Sequence, residues 1–311
     1  MRRVVLPLLA LALTAPAAAQ DARGPFTIAE SGESYPTLDA AVRAVGDRRA
    51  TILIAPGTYR ECAVQEAGII TFKAAVPGQA IFEKETCEDK AALVLRGRGS
   101  TVDGLVFRGY SVNDGNGAGI RIEQGDLTVV NSMFLDSQEG ILGGNPSRQT
   151  ITIDRSTFSG LGQCDEAVNC SHSVYLINQG QVIITRSRFE RGTGGHYVKL
   201  RTPNVQILDS SFDDSQGHDT NYMIDLSEGG VGLIARNIFV QGPNKENGSG
   251  LIVVAAEGKT YPSAGLRVED NDASMAPGAG GNPAFVADLS LQPLAVGNNR
   301  LTGMREFEVR R

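Results

Sequence analysis

An eight-residue pattern recurs eight times along the chain. Its third place is always Val or Ile, and six copies end on Phe. Successive copies are 23 to 34 residues apart, a period that indicates a solenoid, because one such repeat cannot bury its apolar face without its neighbours. The copies are Ser100–Phe107, Leu127–Phe134, Ile151–Phe158, Val182–Phe189, Val205–Phe212, Gly232–Phe239, Leu266–Ala273 and Leu294–Leu301.

The residues within the pattern predict strands. The third place is β-branched, and most copies carry Ser or Asn at the sixth place. Turns rich in Gly, Asn and Asp separate these runs, and no helical period lies between them. We therefore predict an all-β fold, a parallel β-helix of roughly nine coils. The sixth-place residues are Ser132, Ser156, Ser187, Ser210, Asn237, Asn271 and Asn299.

The first residues have the order of a secretory signal. Arg2 and Arg3 precede an apolar stretch over residues 4–13, and small residues follow at 17–19. This stretch is too short to span a bilayer, so we predict a signal peptide over residues 1–19 and a periplasmic or secreted protein. A retained N-terminal anchor is the alternative. We expect no membrane insertion elsewhere, because no other segment is apolar for long enough.

The charge of the chain argues against one class of partner. Without Arg2 and Arg3 the chain has 27 basic and 35 acidic residues, and it has no basic run. A chain with this balance is not expected to bind nucleic acid. An anionic polymer would therefore need a local basic patch.

Four cysteines in an exported protein indicate two disulfides. Cys62 and Cys87 are 25 residues apart, which is one coil, so they can lie on adjacent turns. Cys164 and Cys170 would close a short loop. The absence of a Cys-x-x-Cys pair favours this structural interpretation over a metal site.

The N-terminal part predicts a cap for the solenoid. Residues 20–34 have no regular pattern and are expected to be irregular. Thr37 is a plausible N-cap, and apolar residues follow it at helical spacing: Leu38, Ala41, Val42 and Val45. A short helix here would cover the open edge of the first coil. The predicted organisation is a leader with a capping helix over residues 20–50 and one β-helix domain over residues 51–311.

Three consecutive coils carry an unusual group of polar residues. The segments His172–Leu176, His196–Arg201 and Tyr222–Leu226 align with one another at steps of one coil. Alternation along a strand points Tyr175, Lys199, Arg201 and Asp225 outward on one surface, where Tyr175, Lys199 and Asp225 form a column. His172, His196 and Tyr222 form a second column at the leading edge of the same strands. A surface salt bridge between Lys199 and Asp225 is the structural alternative.

The neighbouring coils have no charged side chain at the place equivalent to Lys199, so this polar group is expected to occupy three coils. Nearby residues on the strands and loops are candidates for contacts with a ligand. These are Tyr197, Tyr222, Asn221, His218, Glu246, Asn247 and Glu257.

Five segments of the chain are similar to a known group of proteins. They are Cys170–His172, Gly195–Arg201, Tyr222–Leu226, Gln241–Pro243 and Glu246–Asn247. They resemble a group of exported bacterial proteins with right-handed parallel β-helix repeats, within the pectin-lyase-like superfamily. That superfamily includes pectate lyases, polygalacturonases, alginate and chondroitin lyases and mannuronan epimerases. The resemblance implies a right-handed β-helix that binds a polysaccharide along its outer groove.

The catalytic signatures of those enzymes are not carried over. Gly194-Gly195-His196 is similar to the Gly-His-Gly of polygalacturonases, but Tyr197 replaces the final Gly. The Asp-Pro-His-Asp of the epimerases is absent. Lys199 and Arg201 only loosely resemble the Lys and Arg of chondroitin B-type lyases. The reaction type stays open.

Our leading hypothesis is a polysaccharide lyase that cleaves a uronic-acid-containing glycan by β-elimination. Arg201 would pair with the uronate carboxylate. Lys199 or His196 would be the base, and Tyr175 or His172 the acid. Asp225 would orient Lys199, or would bind Ca²⁺ if a metal neutralises the carboxylate. We expect no other cofactor.

Two alternative functions remain. In both, as in the leading hypothesis, we expect an anionic polysaccharide as the partner and a monomeric protein. A glycoside hydrolase needs two carboxyls, and Glu246, Glu257 or Asp219 would have to join Asp225. A non-catalytic glycan-binding envelope protein would use the same groove without cleavage.

Overall fold

The protein is described by a computed structural model that covers residues 24–144 and 147–311. The predicted signal peptide, residues 1–19, lies outside the described residues. Within the described part of the chain, no helix has the length and apolar character that a membrane crossing requires.

The chain forms a β-solenoid of about nine turns, built from three long sheets. This confirms the predicted all-β, parallel β-helix fold. The first sheet contains Phe26–Ile28, Ser34–Tyr35, Arg49–Ile54, Ile69–Ala74, Gly99–Asp103, Asp126–Val130, Thr150–Asp154, Gln181–Thr185, Asn204–Leu208, Val231–Ala235, Arg267–Glu269 and Ala295–Gly297.

The other two sheets follow the first in every turn, and all their strand pairs are parallel. The second contains Gly57–Tyr59, Ala80–Glu83, Leu105–Arg108, Met133–Ser137, Thr157–Leu161, Arg188–Glu190, Ser211–Asp213, Ile238–Gln241, Asp272–Met275 and Arg300–Leu301. The third contains Ala63–Gln65, Ala91–Leu95, Ala118–Ile122, Glu139–Gly143, Val174–Ile177, Val198–Arg201, Ile224–Leu226, Gly250–Val254, Ala284–Asp288 and Arg305–Val309.

A column of phenylalanine rings runs through the core. These are the residues at the end of the eight-residue pattern, preceded by Phe82 one turn earlier. Adjacent ring centroids from Phe82 to Phe239 are 4.8 to 5.9 Å apart, and their planes are close to parallel. Stacked rings in register require that each turn repeats the one before it. The pattern was therefore phased correctly from the sequence.

A second column, of Ser and Asn, fixes the corner between the first and second sheets. From Ser132 to Asn271, the backbone N–H of each residue in this column donates to the side-chain oxygen of the equivalent residue one turn later, over 2.9 to 3.3 Å. The residue before each of them has a positive φ, as at Asn131 and Arg186. This left-handed residue turns the chain sharply, and the buried side chain after it satisfies a backbone donor that would otherwise have no partner.

The N-terminal end is capped as predicted. The helix Leu38–Val45 starts at Thr37, whose Oγ1 accepts from the Ala40 N–H over 3.2 Å. Its four predicted apolar residues are buried. The prediction of an irregular segment before the helix is partly wrong. Phe26–Ile28 pairs antiparallel with the edge of Arg49–Ile54, and Ser34–Tyr35 pairs antiparallel with Phe26–Ile28. These strands cover backbone groups that the first turn would otherwise expose.

Both predicted disulfides are present, Cys62–Cys87 and Cys164–Cys170. The first links two successive turns just before the third-sheet strands that begin at Ala63 and Ala91. The second closes a loop between the second and third sheets.

The phenylalanine column should carry much of the stability. Replacing Phe189, which is 0% exposed, with Ala should lower the free energy of unfolding by about 3–5 kcal/mol, since it removes a ring stacked on both sides. Denaturant unfolding measures this. Phe307→Ala is the matched control, because Phe307 is 40% exposed on the last strand. Equal losses for the two variants would contradict the account.

Candidate functional site

The third sheet places the polar residues of three successive turns side by side. Tyr175 pairs in register with Lys199, and Lys199 pairs with Asp225. Arg201 lies two residues beyond Lys199, opposite Ile177. The alignment expected from the sequence is therefore the one that the backbone register shows. The chemical roles assigned to these residues stay predictions.

The second polar column is a stack of rings. The ring centroids of His172 and His196 are 4.9 Å apart, and those of His196 and Tyr222 are 5.3 Å apart. The His196 backbone N–H donates to His172 Nδ1 over 3.0 Å, and the Tyr222 N–H donates to His196 Nδ1 over 3.2 Å. Each imidazole is thus fixed through Nδ1 by the backbone of the next turn.

This arrangement defines what the histidines can do. Burial lowers the pKa of His196 to about 3 and that of His172 well below its usual value, and the charge of Lys199 acts in the same direction on both. Both rings are therefore neutral. Because Nδ1 accepts a hydrogen bond, the hydrogen-bond network assigns the proton to Nε2. His196 is then a donor, and its assignment as a base finds no support in this geometry.

The two cations of the group share one carboxylate. Lys199 Nζ lies 2.5 Å from Glu257 Oε1, and Arg201 Nη2 pairs with the other oxygen, Oε2. Glu257 follows the strand Gly250–Val254 on a loop, and its side chain is 38% exposed. Arg201 also donates through Nη1 to Glu228 Oε1 over 2.6 Å. The result is a fork of two cations that already holds a carboxylate.

Tyr175 lies next to this fork. Arg201 Nε–H donates to Tyr175 Oη over 3.0 Å, and Lys199 Nζ lies 5.5 Å from the centroid of the Tyr175 ring. Two positive charges thus lie close to the phenol. They stabilise negative charge that develops on Oη.

Asp225 is buried beneath the fork. Its Oδ2 accepts from Ser227 Oγ over 2.6 Å and lies 3.5 Å from His196 Nε2 and 3.9 Å from Lys199 Nζ. Its Oδ1 has no hydrogen-bond partner in the described part of the chain. Burial raises the pKa of Asp225 to about 6, although Ser227 and Lys199 act in the opposite direction. Desolvation thus outweighs the nearby ammonium.

Lys199 and Asp225 point away from the core, as expected, but neighbouring loops cover them. They are only 8% and 1% exposed. A surface salt bridge, the structural alternative, does not describe such a pair. Ca²⁺ at Asp225 has no supporting ligand set, since no three acidic, His or Cys side chains converge on a possible metal position within residues 24–144 and 147–311.

A cleft of about 510 Å³ opens over these strands. Glu139, which lines this cleft, was not predicted from the sequence. Glu139 lies two residues before Ile141, and Ile141 pairs with Val174, so Glu139 continues the column of His172 by one turn. The polar group therefore extends beyond the three expected turns. The lining side chains are Asp114, Asn116, Glu139, Asn169, Cys170, His172, Tyr175, His196, Lys199, Arg201, Asn221 and Glu257.

Two predicted ligand contacts lie elsewhere. Tyr197 is 1% exposed and packs in the core, where its O–H donates to Asp214 Oδ1 over 2.7 Å. It precedes the strand Val198–Arg201, so the alternation rule does not apply to it. His218 is exposed and lines a separate cleft of about 400 Å³ beside the second sheet. Neither Tyr197 nor His218 lines the cleft over the third sheet.

The remaining candidates support the end of the cleft. Asn221 lines the cleft, and its Nδ2 donates to Glu246 Oε2. Asn247 Nδ2 donates to Tyr222 Oη over 2.9 Å. Glu246 and Asn247 thus hold Asn221 and Tyr222 in place from the next turn.

Comparison with known proteins gives structural neighbours and no sequence match. No family model and no curated protein matches the chain. A pectin methylesterase from Aspergillus niger is 14% identical, over 83% of this chain and 87% of its own, with a TM-score of 0.44. The Escherichia coli protein ybhc is 13% identical, over 99% and 90%, with a TM-score of 0.46.

A third neighbour is a pectin methylesterase mutant in complex with a hexasaccharide. It is 10% identical over 88% of this chain and 90% of its own, with a TM-score of 0.35. Similarity at this level carries no argument about function. The chain is a parallel β-helix protein with a polar cleft, and the chemistry of the cleft must come from its own residues.

The raised pKa of Asp225 predicts a pH-dependent stability. Between pH 3.8 and about 6 the unfolded chain releases this proton while the folded chain keeps it, so stability falls as pH rises. Relative to Asp225→Asn, the wild type should lose on the order of 2–3 kcal/mol across this window. Denaturant unfolding at several pH values measures the difference.

Asp209→Asn is the control for this titration. Asp209 is an exposed partner of Arg236, which lowers its pKa, so its small contribution has the opposite sign. A difference between wild type and Asp225→Asn that is constant from pH 3.8 to 6 would show that Asp225 is not protonated in the folded state.

Proposed function

We propose that the cleft binds a uronic-acid-containing glycan and cleaves it by β-elimination. The observation that carries this proposal is the carboxylate of Glu257 between Lys199 and Arg201. A fork of one ammonium and one guanidinium that holds a carboxylate of the chain has the charge and the spacing to hold a carboxylate of a ligand. Because Glu257 is on a partly exposed loop, the uronate carboxylate can take its place.

Charge neutralisation is the first step of the proposed reaction. When Lys199 and Arg201 bind the uronate carboxylate, negative charge that develops on it during removal of the C5 proton is stabilised. Both side chains are fixed before the ligand arrives, Arg201 by Glu228 and Lys199 beside the buried Asp225. This preorganisation is what lowers the barrier.

Proton transfer is assigned to Tyr175. In its phenolate form Tyr175 takes the proton from C5 on Oη, the C5–H electrons form the C4–C5 double bond, and the C4–O bond breaks. The same oxygen then gives the proton to the departing glycosidic oxygen. Arg201 Nε, which donates to Oη, stabilises the phenolate in this cycle. The neutral His172 and His196 serve as hydrogen-bond donors from Nε2.

A glycoside hydrolase is the second candidate. Asp225 and Glu257 both lie within 4 Å of Lys199 Nζ, so the site does hold two neighbouring carboxyls. The pKa of about 6 at Asp225 suits a general acid. However, Asp225 is 1% exposed and does not line the cleft, so it lies beneath Lys199 and away from a ligand. We therefore favour elimination.

The proposed function includes export of the protein from the cytoplasm. The two disulfides and the predicted signal peptide over residues 1–19 support a periplasmic or secreted location. The proposal takes the protein as a monomer. Extracellular polysaccharides are the anionic polymers available there.

Tyr175→Phe is the direct test of the reaction. It removes one oxygen and should reduce formation of the unsaturated product by about 10²–10⁴-fold, the range for loss of an acid–base group. The ultraviolet absorbance of the C4–C5 double bond, measured with a panel of polyuronates, reports this product. Arg201→Lys, which loses the planar fork, should weaken carboxylate recognition.

Arg108→Ala is the matched control, because Arg108 pairs with Glu83 on the second sheet. Lys199→Ala should abolish activity, but it also unpairs the buried Asp225 and will destabilise the fold. New reducing ends without unsaturated product would support hydrolysis. Binding without either product would support a glycan-binding protein.

Glu257→Gln separates the two reactions. In the elimination mechanism Glu257 only occupies the fork, so its neutralisation should leave turnover intact and lower the KM for a uronate substrate. In a hydrolase that uses Glu257 as its second carboxyl, the same variant should lose activity. Glu83→Gln is the control, since Glu83 pairs with Arg108 on the second sheet and does not line the cleft. Loss of all activity in Glu257→Gln alone would rule out the proposed roles.

A further inference from the structure

Glu139 is a buried carboxyl in the wall of the cleft, and one of its two oxygens has no partner among the described residues. It is 1% exposed and lines the cleft next to His172. Its Oε2 makes no hydrogen bond to any residue that the structure describes. A buried polar atom without a partner costs free energy. An unpartnered carboxyl oxygen in the wall of a cleft is available to a hydrogen-bonding group of a ligand.

The surroundings of Glu139 favour its uncharged form. Burial raises the pKa of Glu139 well above its usual value, and the negative charge of Asp114 adds to this. Arg121, Lys199 and a hydrogen bond from the His172 backbone act in the opposite direction but are weaker than burial. A protonated carboxyl has an O–H to donate. The group that completes Glu139 is therefore an acceptor oxygen.

Glu139 and the cation fork are too far apart to bind the same ligand group. The column of Glu139 lies three residues before that of Lys199, about 10 Å along the strands, and two turns away, about 10 Å along the stack. When a uronate carboxylate occupies the fork, the sugar next to it in the glycan is therefore the group that can reach Glu139. His172 and His196 line the wall between them.

The charges at this end of the cleft define the adjoining sugar. The lining side chains near Glu139 are Asp114, Asn116 and Asn169, and among the described lining residues both cations, Lys199 and Arg201, are at the other end. Arg121 does not line the cleft, and its Nε faces Glu123 at 3.8 Å. A second carboxylate would meet Asp114 in the cleft wall, whereas Arg121, the nearest cation, does not line the cleft. An uncharged sugar meets no such repulsion.

We propose that Glu139 forms a second subsite that donates a hydrogen bond to an uncharged oxygen of the sugar beside the uronate. The substrate class is then a glycan in which uronate alternates with a neutral sugar, and a homopolymer of uronate is disfavoured. This inference rests on the proposed function, because it takes the fork of Lys199 and Arg201 as the uronate site.

The test compares two probes of equal length. Hyaluronan oligosaccharides alternate glucuronate with N-acetylglucosamine, and oligogalacturonate carries a carboxylate on every sugar. Binding is measured by calorimetry in the Tyr175→Phe background, so that no turnover depletes the probe. Glu139→Gln keeps a neutral donor, and Glu139→Ala removes it. Glu166→Gln, in the neighbouring cleft, is the control, and thermal melting confirms that each variant is folded.

We expect the hyaluronan probe to bind about 10-fold more tightly than oligogalacturonate, the factor for one good hydrogen bond. Glu139→Ala should remove this preference, whereas Glu139→Gln should retain it within about 3-fold. The inference fails if Glu139→Ala leaves both affinities unchanged while Arg201→Lys weakens both, and the proposed function then stands. It also fails if Glu139→Gln loses as much of the preference for the hyaluronan probe as Glu139→Ala does, since a neutral donor at this position would then be insufficient. If neither probe binds, both proposals fail.

Discussion

Parallel strands hold each turn of the solenoid in register with the next, and both the core and the cleft follow from that register. Each turn of the solenoid repeats the place of its Phe ring and of its Ser or Asn, and each turn hydrogen-bonds the next through a parallel strand. A slip of one residue would turn every ring of that turn outward. The same register that positions the core residues also positions Tyr175, Lys199 and Asp225 at the polar cleft.

The same stacking determines the electrostatics of the site. Successive turns are so close that each polar side chain is covered by its neighbours and loses contact with water. Desolvation is the main cause of the pKa changes of His172, His196, Asp225 and Glu139. It keeps the histidines neutral and favours the protonated carboxyls, as expected when burial disfavours charge. Lys199, Arg201 and Glu257 form the ion-paired part of the cleft.

Features with a period could be predicted from the sequence. The Phe column, the pairing of Tyr175 with Lys199 and the disulfide Cys62–Cys87 all depend on one coil of separation, which can be counted. The helix at Thr37 followed from a capping residue and apolar spacing. These predictions required only the repeat and local chemistry.

Features that depend on how the chain enters a strand could not be predicted from the repeat spacing. Glu139 was missed because the strands Met133–Ser137 and Glu139–Gly143 follow each other with a single residue between them, so no loop marks the start of the second. Tyr197 precedes its strand and turns inward, so the alternation rule fails for it. The proton position on His196 and the burial of Lys199 depend on neighbouring turns and loops, which one strand does not reveal.

The central claim is that Lys199 and Arg201 form the site of a ligand carboxylate that Glu257 occupies in the free protein. A structure of Tyr175→Phe with a uronate oligosaccharide tests it most directly. The account predicts a uronate carboxylate between Lys199 Nζ and the Arg201 guanidinium, with Glu257 displaced. A bound oligosaccharide elsewhere on the solenoid, with Glu257 still paired to both cations, would contradict it.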